Sequence, residues 1–232
     1  MIGFYNYTVI LTYLSLISAS CGIMVALSGG GHPYIGSFFL LFCGLCDAFD
    51  GKVARTKKDR SQAERSFGVQ IDSLSDLVAF GVLPTAIGNA MLRRSALMHI
   101  VYGTPLQRPL EIGWAAVLIV YILAAMIRLA YYNVTEEERQ KTEGGVRKYY
   151  TGLPVTSAAL IFPFILLLQY VIPADLTPMY FVTAVFCAIA FLSPVQIRKP
   201  GLRGVLILVG IGAVEFLLLL ALILIRKFMM IR

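Results

Sequence analysis

The 232 residues are 58% hydrophobic and only 14% charged, with a mean hydropathy of +0.78. So little charge cannot solvate a soluble domain of this length, so the composition specifies an integral membrane protein. The formal charge of +7 does not indicate nucleic acid, because the basic residues lie between apolar runs rather than in one stripe with interleaved aromatics. A membrane surface or an anionic lipid fits that distribution better.

About 20 mostly apolar residues cross the hydrocarbon core, and such runs recur along the chain. The first covers about Tyr7 to Ser28 and closes at Gly29-Gly30-Gly31 and His32-Pro33. No positively charged leader precedes it, so no removed signal segment is expected. Cys21, Cys43, Cys46 and Cys187 all lie in apolar runs, where they read as small core residues rather than a disulfide framework.

The second run begins near Tyr34 and ends in Asp47-x-x-Asp50-Gly51-x-x-Ala54-Arg55. On a helix Asp47, Asp50, Gly51 and Ala54 share one face. The polar stretch that follows carries Lys52, Arg55, Lys57, Lys58, Arg60 and Arg65, the densest basic segment of the chain, which the positive-inside rule puts in the cytoplasm. A third run, about Gly68 to Leu92, then carries Asp72 and Asp76 on one face of its first turns. Both aspartate pairs thus fall on the same side of the membrane. Four converging carboxylates repel unless a cation lies between them, and a hard divalent ion with oxygen ligands is the usual solution. Gly51 and Ala54 leave room for a bound group beside that ion, and Arg55 is suited to a phosphate.

The pattern Asp47, Asp50, Gly51, Ala54, Arg55, Gly68, Asp72, Asp76 resembles the signature of the CDP-alcohol phosphotransferases. Twelve residues, Thr56 to Phe67, separate Arg55 from Gly68, where about eight are usual in this motif; the extra residues are expected to lengthen the loop. The resemblance implies transfer of a phosphatidyl-type group from a CDP-linked donor to an alcohol, with release of CMP. It implies that Asp47, Asp50, Asp72 and Asp76 bind a divalent metal, Mg2+ or Mn2+, and that Asp76 is also the general base. It also implies that Asp47, Gly51, Ala54, Arg55 and Gly68 receive the CDP part, and that the protein is a homodimer.

Flanking residues resemble the phosphatidylserine synthase branch: Ser66-Phe67-Gly68, Asp72-Ser73-Leu74-x-Asp76, Ala79-Phe80-Gly81-Val82-x-Pro84, Arg128-Leu129-Ala130-x-x-Asn133 and Tyr150-x-Gly152-Leu153-Pro154. The partners implied are CDP-diacylglycerol, L-serine and the lipid bilayer. Tyr131 departs from the branch, where many members carry another arginine. Serine brings a carboxylate and an ammonium, and Arg128, with Asn133 or Lys148, is the candidate for the carboxylate.

Residues 93 to 111 read as an outer loop, with His99 an ordinary loop residue, before a fourth run from about Ile112 to Asn133. Glu136 to Glu138, in the polar segment Thr135 to Lys148, read as a solvated helix start. A fifth run covers about Val155 to Ile172 and a sixth about Met179 to Pro194. Gln196 to Arg203 reads as a basic cytoplasmic connector. A seventh run, about Gly204 to Ile225, ends in Arg226-Lys227, against the positive-inside rule, so either the early loops dominate or the segment bends back. Glu215 inside it is a costly buried acid and a functional suspect.

The expected architecture is all-α: a single polytopic membrane domain over residues 1–232, with the catalytic motif at 47–76. A six-helix transmembrane core is followed by one or two extra C-terminal membrane helices, at about 204–226. The active site is expected to face the cytoplasm. Glycerol 3-phosphate, inositol phosphate or another alcohol is the alternative acceptor. A divalent-cation transporter is a remoter alternative, since such sites favour the bilayer midplane and repeated halves.

Overall fold

In the computed structural model, residues 3–142 and 149–230 are described. The helices are α1 (Ile10–Leu27), α2 (Pro33–Ala54), α3 (Gln62–Asp76), α4 (Leu83–Leu92), α5 (Ala96–Val101), α6 (Gln107–Thr142), α7 (Ala158–Val171), α8 (Thr177–Leu192) and α9 (Leu202–Met230). A π-helical turn, Leu77–Val82, joins α3 to α4 in one 31-residue rod. Five helical stretches are long and apolar enough to span a membrane, and α7 and α8 are shorter apolar helices. The protein is thus an all-α polytopic membrane protein; its strands among the described residues are β1 (Tyr149–Thr151) and β2 (Gln196–Arg198), an antiparallel ribbon.

Small residues let the helices approach closely, which is how helices associate where lipid removes the hydrophobic drive. A Cβ on Gly22 of α1 would stand 2.7 Å from the Cβ of Phe39 on α2, so glycine permits this crossing. Ala19 and Ala26 on the same helix are fully buried. The core behind the aspartates is aromatic: Tyr121, Phe162 and Tyr180 are fully buried, with Phe162 edge-on to Tyr121 at 5.5 Å and tilted against Tyr180 at 4.7 Å.

The π-turn has a cause in the sequence. Pro84 has no N–H, so it cannot bond the carbonyl of Phe80 four residues earlier. Tyr121 from α6 donates its hydroxyl to that carbonyl at 2.7 Å, and Tyr180 from α8 donates to the carbonyl of Pro84 at 2.6 Å. These bonds lock the rod, directly after Asp76, to two other helices.

Several expected boundaries move. The third run starts at Gln62, not near Gly68, because Ser61 and Glu64 form a reciprocal capping box. Half of the expected loop is therefore helix, and Asp72 lies in the third turn of α3 rather than its first. The fourth run extends from Gln107 to Thr142, and Glu136 to Glu138 lie near its end instead of starting a helix. Glu136 pairs there with Arg139 at 2.7 Å, which offsets the unfavourable end for acids. The segment expected to be an outer loop contains α5, with His99 exposed on it. The seventh run is one uninterrupted helix and does not bend back.

Gly152 fixes the ribbon to the end of α8. Its φ of +73° is a left-handed conformation suited to glycine, and a Cβ there would stand 2.5 Å from the carbonyl oxygen of Phe191. Its N–H donates to Val195 at 2.8 Å, and that of Leu153 to Ala190 at 2.9 Å.

Candidate active site

A cavity of about 1180 Å³ opens where α2, α3, α6, α7, α9 and the ribbon meet. At one end it is lined by Asp47, Asp50, Gly51 and Lys52 from the last turns of α2, by Arg55 just after them, and by Asp72, Ser73 and Asp76 from α3. Helical periodicity, read in the sequence, puts each set on one face. Asp76 is buried, and Asp47, Asp50 and Asp72 are half-buried. The carboxyl groups of Asp50 and Asp72 interact directly, and Asp50 also accepts the backbone N–H of Gly51.

Buried like charges need a compensating cation. Arg128, 6% exposed on α6, lines the cavity and attracts both Asp47 and Asp76. Its guanidinium lies 5.1 Å from the ring centroid of Tyr132 and 6.0 Å from that of Tyr150. The donor set suits a hard divalent cation in kind, being all carboxylate oxygen. As they stand, no three His, Cys, Asp or Glu side chains among the described residues form a group ready to hold a metal.

Of the other expected residues, Asn133 lines the cavity and donates its amide to Ser73 at 2.6 Å. Ala54 and Gly68, expected beside the aspartates, are not part of the cavity wall. Lys148 lies outside the described residues. Tyr131 is 57% exposed and does not line the cavity, so its departure from the branch pattern falls off the site.

Sequence reading gave Tyr132, Tyr150 and Lys199 no place in the site, Tyr150 standing only in a flanking motif. The ribbon aligns Tyr150 with Ile197, and Lys199, just beyond β2, brings its ammonium within 5.3 Å of the Tyr150 ring. All three line the cavity. The connector Gln196 to Arg203 is therefore partly a wall of the site. Away from the charged end the lining is apolar: Leu41 and Leu45 of α2, Leu160 of α7, and Leu208, Gly212 and Phe216 of α9.

A family model described as CDP-alcohol phosphatidyltransferase matches residues 5–194. The chain belongs to this family. Among curated relatives, a CDP-diacylglycerol–serine O-phosphatidyltransferase of Saccharomyces cerevisiae is 33% identical over 145 residues, covering 61% of this chain and 45% of the relative. An archaetidylserine synthase of Methanothermobacter thermautotrophicus is 35% identical over 148 residues, covering 63% and 53%. A CDP-diacylglycerol–serine O-phosphatidyltransferase of Mycobacterium leprae is 29% identical over 150 residues, covering 65% and 43%. The chain thus spans about half the length of the curated relatives it matches. The chain carries α9 beyond the family-matched residues, and membership runs against the transporter reading.

Proposed function

We propose that the chain transfers a phosphatidyl group from CDP-diacylglycerol to the hydroxyl of L-serine, giving phosphatidylserine and CMP. The observation that carries this reading is the continuity of the cavity: motif aspartates and cations at one end, apolar walls at the other. An amphiphile with a charged head and aliphatic tails needs both ends. The names of the relatives supply the serine acceptor.

In this mechanism Asp47, Asp50, Asp72 and Asp76 would hold a divalent ion, Mg2+ or Mn2+, which supplies charge neutralisation at the donor phosphates and eases departure of CMP. Asp76 takes the proton from the serine hydroxyl as its oxygen attacks the phosphorus that bears the diacylglycerol. The bond to the CMP oxygen breaks and CMP leaves with its electron pair. Arg128 receives the serine carboxylate, while Arg55, Lys52 and Lys199 line the same cavity and favour anionic groups. Motif and extra helix act as one domain over residues 1–232, with the active site facing the cytoplasm, the side that the positive-inside rule favours for the basic Lys52 to Arg65 segment.

The test is CMP release from CDP-diacylglycerol by purified protein in detergent with magnesium or manganese, comparing L-serine, glycerol 3-phosphate and inositol. Serine-dependent release is expected, with Asp76→Asn losing at least about 100-fold and Arg128→Ala raising KM for serine about tenfold or more. Release with a different alcohol would overturn the acceptor. An unchanged serine KM would remove Arg128 from the acceptor site.

A further inference from the structure

Arg60 lies in the stretch that separates Arg55 from Gly68 at a longer spacing than the family pattern. Its Nη1 donates to the backbone carbonyl of Ala54 at 3.0 Å. A Cβ on Gly68 would stand 2.9 Å from its Nη2, so the guanidinium rests against bare glycine backbone. Its Nε is buried and has no hydrogen-bond partner among the described residues. The nearby carboxylate of Glu64 is already engaged by Lys57 at 2.9 Å, by Asn6 at 3.2 Å and by the N–H of Ser61.

Arg60, like Ala54 and Gly68, is not part of the cavity wall, and its guanidinium fills the space between those two residues. With Nη1 committed to Ala54, Nε and Nη2 form the side-on fork that matches two oxygens of a phosphate. A buried donor without a partner is costly, and an anionic oxygen would satisfy it.

We propose that Arg60 is a nucleotide-binding residue, whose Nε and Nη2 edge takes a phosphate of the CDP group beside Ala54 and Gly68. This rests on the reading that the motif receives a CDP-linked donor. It adds a residue from outside the motif, in the segment where this chain departs from the family spacing.

The experiment is equilibrium binding of CMP and of cytidine to the full-length protein in detergent with magnesium, for wild type, Arg60→Ala, Arg60→Gln, Arg60→Lys and Arg65→Ala. Arg60→Gln retains a donor for the Ala54 carbonyl and guards against a folding defect, which thermal unfolding checks for every variant. The expected result is a loss of CMP affinity of about tenfold in Arg60→Ala and Arg60→Gln, with a smaller loss in Arg60→Lys. Cytidine affinity should stay unchanged, as should CMP affinity in Arg65→Ala, which removes an exposed charge nearby. Unchanged CMP affinity in the folded Arg60 variants overturns the proposal. So does tighter binding, which would make Arg60 a plug, an equal loss for cytidine, which would remove the phosphate contact, or an equal loss in Arg65→Ala, which would make the effect a general surface field. A wild type that binds neither molecule overturns the CDP-linked donor as well, an outcome distinct from a wild type that binds CMP without using Arg60.

Discussion

Asn133 donates its side-chain amide to the hydroxyl of Ser73 at 2.6 Å, tying α6 to α3 on the cavity wall, with Ser73 next to Asp72 in sequence. The bond commits one donor of the Asn133 amide to α3.

Asn133→Ala and Ser73→Ala are therefore expected to act through one shared contact. Each should destabilise the protein by about 1 kcal/mol, and the double variant should cost little more than either single one. Thermal or denaturant unfolding of all three variants in detergent checks this, and full additivity would dissolve the link.

Glu215 is 6% exposed on α9, and its Oε2 has no hydrogen-bond partner among the described residues. Around it α9 packs through Leu219 against Leu41 and Leu167, and through Phe216 edge-on to Phe38 at 4.9 Å. An unsatisfied buried acid costs stability, so Glu215→Leu is expected to stabilise by about 1–3 kcal/mol and to raise Tm. CMP release measured alongside decides the suspicion raised by its position: unchanged turnover makes Glu215 a structural liability, and lost turnover gives it a role in the reaction.

Asp175, in the turn before α8, accepts from the hydroxyl of Ser95 at 2.6 Å, the N–H of Leu97 at 3.2 Å and the N–H of Thr177 at 3.0 Å. Partial burial pushes its carboxyl up, but these hydrogen bonds outweigh it and hold the group below the ordinary carboxylate range. A depressed folded value means that the stabilisation is present above the unfolded pKa of about 3.9 and is lost as pH falls through the folded value. Asp175→Asn is therefore expected to lower Tm near neutral pH, with the gap to wild type closing in acid. A gap independent of pH would remove the charge from the account.

The aspartates were legible because charge is scarce here: Asp47, Asp50, Asp72 and Asp76 stand out at the ends of apolar runs, and helical spacing alone gives each pair a common face. The helices were legible for the same reason. The start of α3 was also written in the chain, since Ser61-x-x-Glu64 is a capping signal, but the polar character of Thr56 to Phe67 reads equally as a longer loop. Pro84 likewise carried the cause of the π-turn. Lys199 was not legible, because a basic residue in a connector looks solvated until the pairing of Tyr150 with Ile197 turns that connector inward. Arg60 was hidden similarly: nothing local says that a loop arginine will lie on Gly68.

Gly212 and Phe216 of α9 bound the same cavity as Asp47 and Asp72. On the proposed reading the molecule that fills it is a lipid, delivered by lateral diffusion in the bilayer plane. The concentration that governs its encounter with the aspartates is then its mole fraction among the surrounding lipids, and diluting the membrane with inert lipid slows the encounter even when the aqueous volume is unchanged.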